Sequence, residues 1–565
     1  MDHDRLEAYP TRNTRLERLN VQTSTSDMPG SLRPAVWIAV AEVAALLALF
    51  FIYAGDPPPA VNEAHYLVKA KNFWDPTFCS RDLFAASGKA HTTFYWTFGA
   101  LTQFVSLGTT AWIGRLLGWL MLAIGLRRCC RSFGLPAFAS LGVAVLWLVG
   151  IEHGNLAGEW VVGGIEAKVP AYALVLMGIA EVARRNWARG WIWFGAASAF
   201  HVLTGGWAVI AATVAFVVTE RWFKRSDQPP IRFFSVGLFI GGALSLFGLL
   251  PAISLTLGAT AGESVEAARI YSYMRIRHHL LPSDFPMHWF VRHGVLAIGL
   301  LALAYLGRPT TAQRRVIWIG VGALGIAGCG LVVGALPAVM PDLAAKLLRY
   351  YWFRLSDAIV PLVLALWLMQ LLASRKSVES AARVRGLVLL VLLVATGMFL
   401  GSAWQRNRIG IPPSTSHRLL GVDLNADAER QQRSHSDWVA VCDWVRVAMP
   451  RDEIFLTPRH QQTFKWYSSR AEVANWKDVP QDAKSLLEWR DRFDDIFPKR
   501  TGVISLNSVR VPISYLKLRA YRQRYGVRFM IVDNRVATKR LPLVKIYPVN
   551  GQQNETYSVY ELPYN

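Results

Sequence analysis

The stretch "VWIAVAEVAALLALFFIYAGDPPPAVNEAHYLVKAKNFW", residues 36–74, sets the frame for the whole chain. Its first half is an unbroken apolar run. A hydrocarbon core about 30 Å thick needs roughly 20 residues of helix to cross it. Its second half carries acids, lysines, a histidine and aromatics, where a chain returning to lipid needs only a short polar turn. The run is followed by "IYAGDPPPAV" and not by a clear small-x-small cleavage site, so it reads as a retained signal anchor.

The same pattern recurs to about residue 410. The 565 residues are 53% hydrophobic and 18% charged, whereas soluble domains carry about 25% charged residues. Eleven spans are expected: 35–54, 109–126, 136–151, 169–183, 190–203, 206–220, 233–257, 290–307, 316–336, 358–374 and 387–403. Gly205 and Gly206 in "HVLTGGW" are expected to break the fifth span from the sixth. The 22 Trp residues suit helix ends at the headgroup level. The net charge of +22 would suggest nucleic acid on a soluble domain, but many of these basic residues sit in short loops between apolar runs and no nucleic-acid motif is present. The five Cys form no CxxC and no framework of pairs, and compartment alone would permit a Cys79–Cys442 bridge.

The loops alternate in kind. "LRRCCRSFG", "RRNWARG", "RWFKRSDQPPIR", "RPTTAQRR" and "SRKSVESAARVR" are short and basic, like the N-terminal segment 1–34. Loops 55–108, 152–168, 258–289 and 337–357 mix acids with bases. The positive-inside rule assigns the N-terminus and the basic loops to the cytoplasm and the mixed loops to the outside. An odd number of spans then places the tail outside as well. The expected fold class is mainly α: a polytopic membrane bundle over 35–410 with a small C-terminal α/β domain over 415–565. In that tail "SDWVAVCDWVRVAMP" and "VPISYLKLRAYRQRYG" read as helices, and "EIFLTP", "VRFMIVD" and "YSVYELP" as strands.

Four motifs carry a resemblance: "NEAHYLVKAK" (62–71) in the first outward loop, "TTFYWTFGALTQFVSLG" (92–108), "WIGRLLGWLMLAIGL" (112–126) and "DWVAVCDWVRVAMPRDEIFLTP" (437–458). Together with the topology they resemble the GT-C superfamily of polytopic glycosyltransferases, which includes protein O-mannosyltransferases, aminoarabinose transferases and oligosaccharyltransferases. The resemblance implies sugar transfer, with inversion, from a polyprenyl-phosphate donor to a glycan, lipid or protein acceptor at the outer face of a bacterial inner membrane. The chain departs from the family at Asn62, where an acidic residue is usual. It also lacks the WWDYG signature of the oligosaccharyltransferases and has "TPRHQQTFKWYSSR" in the tail.

Inverting transfer needs a carboxylate to take the acceptor proton and cations to stabilise the departing phosphate. The resemblance names Glu63 as the base; without it, Glu63 reads as a partner of Lys69 or Arg81, or as a helix cap. Asp82 is the second acidic candidate, although "SRDLF" also reads as a loop contact. Asn62 and Tyr66 would orient the acceptor. Glu166 and Lys168 stand directly before a span, where charge is costly. His201 lies at a span end. Arg275 and Arg277 form the expected phosphate clamp, by the planar fork of arginine, with Arg349 and Arg354 beside the aromatics of the fourth loop. Arg115, inside a span, must find a carboxylate, carbonyl or phosphate. No metal-ligand set stands out. The cofactor is unknown, with a divalent cation open because some related enzymes use one. Non-catalytic glycan binding or envelope scaffolding is the alternative, and transport of lipid-linked sugar is a further one that the one-sided placement of charge disfavours.

Overall fold

The computed structural model describes residues 32–60, 62–222, 231–374, 379–413, 427–459, 461–497, 515–535, 541–549 and 551–564. Nearly all of the N-terminal segment 1–34 and the start of the tail domain lie outside them. The described residues up to Ala41 fall in one compact unit and those from Glu42 onward in the other.

A helix stands at each of the eleven expected positions. Eight of the helices found are long and apolar enough to cross a membrane: Ala35–Ala54, Leu107–Phe133, Val202–Trp222, Val236–Ser254, Met287–Leu306, Thr311–Ala338, Arg354–Ala373 and Ala382–Asn407. This is a multi-pass membrane protein. The other three, Ala139–Gly154, Lys168–Ala183 and Trp187–Phe200, have 16, 16 and 14 residues. Their shortness fits their place. Lys168–Ala183 is buried at almost every residue, and a helix wrapped by other helices meets protein rather than lipid at its ends.

The break between the fifth and sixth spans falls at His201, not at the glycines. His201 is extended (φ −144°, ψ 100°), ends Trp187–Phe200 and caps Val202–Phe216 by accepting from the Thr204 amide. Gly205 lies inside the second helix, where a Cβ would overlap the backbone of Ser198. Its smallness serves close packing of the two helices. The same logic joins Trp187–Phe200 to Val236–Ser254, since Cβ atoms at Gly195, Gly237, Gly241 and Gly248 would each overlap backbone of the facing helix.

The two ends of the bundle differ. At one end the basic loops pair with buried acids. Glu42 accepts from Arg127, Ser140 and the Phe138 amide, Glu181 binds Arg128, and Glu220 binds Arg185 and Arg315. At the other end the four mixed loops meet one another and the tail.

The tail sheet has the order β2-β1-β3-β5-β4, with β1 Ile454–Leu456, β2 Ala471–Glu472, β3 Phe529–Asp533, β4 Val544–Tyr547 and β5 Tyr557–Glu561. β1 runs parallel to β2 and β3; β5 runs antiparallel to β3 and β4. Apolar residues of Ala428–Ala448 (Trp438, Val441, Val445) cover one face with Phe455, Ile531 and Val559. Trp489, Phe493, Leu518 and Tyr521 cover the other with Ile454, Leu456 and Met530. Both faces are buried, which makes the tail a three-layer α/β domain. Cys79 and Cys442 are both free and buried, so no bridge joins them.

Gly241→Val should lower the stability of the detergent-solubilised protein by about 1–3 kcal/mol through overpacking. Gly242→Val, with nothing within 4 Å of its Cβ, should leave the thermal midpoint unchanged.

Candidate functional site

The site is built on one buried ion pair. Arg115, in Leu107–Phe133, is fully buried. Its Nε and Nη2 each donate to Glu63, both at 2.6 Å, and its Nη1 donates to the Asp56 carbonyl at 2.5 Å. Glu63 also accepts from the amides of Ala60 (2.7 Å) and Ile165 (2.8 Å). A charge this deep is tolerated when every lone pair and proton is satisfied. Glu63 meets that condition: four donors from three segments converge on its two oxygens. It thereby fixes the start of the helix Glu63–Trp74 against the second mixed loop.

In front of that pair lies a cavity of about 220 Å³. Asn62, Tyr66, Glu166, Lys168, His201, Arg275 and Arg354 line it, with Trp160, Tyr271, Tyr351, His278, His279 and Lys477. The lining holds four cations, Lys168, Arg275, Arg354 and Lys477, against two carboxylates, Glu159 and Glu166. Lys168 bridges those carboxylates at 2.5 and 3.0 Å. Glu159 also meets Arg354 at 2.6 Å, and Asn62 donates to Glu166 at 2.7 Å. Arg354 Nη1 lies 2.8 Å from His201 Nε2. Burial works to raise the Glu159 pKa, but Lys168 and Arg354 outweigh it and hold the carboxyl below its usual range. Burial, and then Arg275 beside it, pull Lys477 down to about 8. Burial alone lowers Arg275 to about 10. Burial keeps His278 and His279 neutral, at about 4 and 3.

The tail contributes through Trp476–Asp478. Arg275 donates to the Trp476 carbonyl at 2.7 Å, and its guanidinium lies over the Trp476 ring, 5.2 Å from the centroid. Behind this segment Lys465, 1% exposed, binds three buried carboxylates: Asp82 at 3.2 Å, Glu472 at 2.5 Å and Asp478 at 2.7 Å. Burial pushes the Glu472 carboxyl up despite Lys465. Asp82 also caps Leu83–Ala86 and accepts from the Glu472 amide. It joins the first loop to the tail.

The residues singled out in the sequence therefore divide. Asn62, Tyr66, Glu166, Lys168, His201, Arg275 and Arg354 share the cavity. Glu63 and Asp82 do not line it; each is engaged in the structure behind it. Arg277 is exposed and pairs with Asp284, and Arg349 lies over the Tyr271 ring, 5.3 Å from the centroid; neither lines the cavity. In the fourth loop Tyr351 lines it, whereas Trp352 packs on Trp207. Lys477 escaped the sequence reading because it looks like any loop lysine. Glu159 was visible only as one of several acids in the second loop. Among the described residues no group of three or more His, Cys, Asp or Glu side chains is arranged to hold a metal ion.

A family model described as a domain of unknown function (DUF6798) matches residues 436–496, a part of the tail. No curated protein matches. Among solved structures, an archaeal oligosaccharyltransferase, AglB from Archaeoglobus fulgidus, in complex with an inhibitory peptide and a dolichol-phosphate, is similar at a TM-score of 0.44 and 10% identity. The likeness covers 90% of this chain and 70% of that one. A likeness this loose leaves the functional assignment to the residues of this chain.

Glu63→Gln leaves the Arg115 charge buried and uncompensated. It should cost about 3–5 kcal/mol of stability, seen as a lowered thermal midpoint in detergent. Glu166→Gln, at the cavity surface, should unfold close to wild type.

Proposed function

We propose that the protein is a membrane glycosyltransferase of the GT-C type that uses a polyprenyl-phosphate sugar. The observation that carries this reading is the excess of cations, four against two carboxylates, lining a cavity at the end of a membrane bundle. Burying like charges together is costly, and an anion offsets that cost. Arg275 and Lys477 are the phosphate ligands in this reading, with Arg354 held in reach by Glu159. The orientation follows the charge of the loops: N-terminus and basic loops in the cytoplasm, cavity and tail on the outer face of a bacterial inner membrane.

Proton transfer requires a carboxylate that faces the substrate. Glu63, closed in by Arg115 and two amides, serves as a positioning residue. Glu166 takes the role of base. It meets one cation where Glu159 meets two, so its lone pairs are the more available. An acceptor hydroxyl oxygen attacks the anomeric carbon and its proton passes to Glu166. The bond between that carbon and the phosphate oxygen breaks, and its electron pair leaves with the polyprenyl phosphate, whose charge Arg275 and Lys477 neutralise. Asn62 orients the Glu166 carboxylate, and Lys168 fixes it relative to Glu159.

The test uses full-length protein in nanodiscs, a panel of short-chain polyprenyl-phosphate sugars and a bacterial membrane extract as acceptor source. Wild type should release polyprenyl phosphate, and Glu166→Gln should slow that release by about 10²–10⁴-fold, the range for a general base, with donor binding unchanged. A wild-type rate in Glu166→Gln removes it as the base. No release from any donor counts against the transferase reading.

Lys477 is charged below its pKa of about 8 and neutral above it. The affinity for farnesyl phosphate, whose phosphate is fully ionised there, should therefore fall as pH rises from 7.5 to 9.5. Lys477→Arg should flatten that profile.

A further inference from the structure

A cavity of about 830 Å³ lies within the membrane bundle and shares no residue with the polar site. Stretches of four helices line it: Ala139–Gly154, Met287–Leu306, Arg354–Ala373 and Glu379–Asn407. Gly150, Gly299, Ala302, Ala365 and Ala395 hollow it out. The lining is apolar apart from the half-buried Trp367 indole, whose N–H has no acceptor among the described residues. Met287–Leu306 and the last helix both pack against the other two helices but not closely against one another. Their apolar windows are only 17% and 22% buried. The cavity is therefore a groove between these two helices that faces the hydrocarbon.

The two ends of the groove differ. Toward the polar site it is closed. One turn beyond the lining, His293 Nδ1 meets the Gly154 carbonyl at 2.8 Å, and Leu296 fills the space beside Gly154. Asp357 accepts from the Leu156 and Ala157 amides at 2.9 and 3.0 Å. His293 and Asp357 are both buried, so this layer separates the groove from Arg275 and Lys477. Toward the basic loops the groove is open and cationic. Leu306 and Gly307 line it there, and Arg308, exposed, follows. Arg385 donates to the Ser374 carbonyl at the end of Arg354–Ala373. The exposed Arg383 stands two residues before it on the last helix. Residues 307–315 and 382–390 contain no acid.

We infer that the groove holds an acyl chain of an anionic glycerophospholipid from the leaflet beside the basic loops. A hydrocarbon chain gains dispersion contact where the small residues leave room. The headgroup phosphate meets Arg308 and Arg383, because basic residues at the membrane surface favour anionic lipid. The Trp367 N–H, at the basic-loop end of the lining, finds its acceptor in an ester carbonyl. A polyprenyl phosphate bound for the polar site is the poorer occupant, since the groove is closed at the end where its phosphate is held. The bound lipid joins Met287–Leu306 to the last helix, which leads into the tail, and so seats that helix on the bundle. This site does not depend on the transferase reading.

Native mass spectrometry of the full-length protein tests this, after delipidation in mild detergent and addition of equimolar phosphatidylglycerol and phosphatidylcholine. Wild type should retain one phosphatidylglycerol per chain, with a preference of about tenfold over phosphatidylcholine, the scale set by two surface arginines. Gly299→Phe fills the groove. A Cβ at that position lies 3.6 Å from Leu364, an ordinary contact, so the variant should fold and, free of lipid, melt like wild type. It should lose the retained lipid. Phosphatidylglycerol should raise the thermal midpoint of wild type but not of Gly299→Phe. Arg308→Ala with Arg383→Ala should retain the two lipids equally. Equal retention of both lipids by wild type, or undiminished retention by Gly299→Phe, overturns the assignment. Displacement by equimolar farnesyl phosphate also overturns it and gives the groove to the donor chain.

Discussion

An arginine placed inside a membrane helix has to be neutralised, and the outer architecture of this protein follows from how that is done. Arg115 reaches one carboxylate and one carbonyl, Glu63 and Asp56, from the segment that follows the first span. Through Glu63 it also holds the Ile165 amide of the second mixed loop. A single guanidinium thereby pins two loops to one helix. The residues next to those anchors, Asn62 and Glu166, then face each other across a hydrogen bond in the cavity. Burial makes the pair rigid: removing either partner strands a charge away from water, so the loops cannot leave without a large cost.

The same economy of charge separates structure from chemistry elsewhere. Lys465 holds Asp82, Glu472 and Asp478 behind the cavity and ties the tail to the first loop. Asp478 is the neighbour of Lys477, so the cluster also delivers a tail cation to the membrane domain. Behind the cavity three carboxylates share the one cation Lys465, whereas the cavity lining holds four cations against two carboxylates. That excess of cations is the physical basis for assigning a phosphate to the cavity.

Much of the fold was legible because hydropathy and loop charge are local signals. Eleven helices stand where apolar runs were read, and the two helices and three strands read in the tail are present, whereas the helix Ala483–Ile496 and the strands β2 and β4 were not read. The site was legible in parts. Glu63 and Arg115 each announced an unmet need, but they are 52 positions apart and only the tertiary fold pairs them. The partners considered for Glu63, Lys69 and Arg81, donate instead to backbone oxygens elsewhere. Arg275 and Arg277 looked like one clamp. Residues two apart on helical backbone point in nearly opposite directions, so one enters the cavity and the other meets Asp284. "HVLTGGW" misled through its glycines, because a histidine side chain can cap a helix and a glycine can serve contact instead of a bend. Lys477 carries no local mark, since its meaning comes from Arg275, some 200 residues away in the chain.

The central claim is that Arg275, and not Arg277 or Arg349, binds the phosphate of the lipid donor together with Lys477. Equilibrium binding of farnesyl phosphate to the full-length protein tests it directly. Arg275→Ala should weaken binding at least tenfold, while Arg277→Ala and Arg349→Ala, outside the cavity, should bind like wild type. Equal losses in all three variants, or none in Arg275→Ala, would contradict the account.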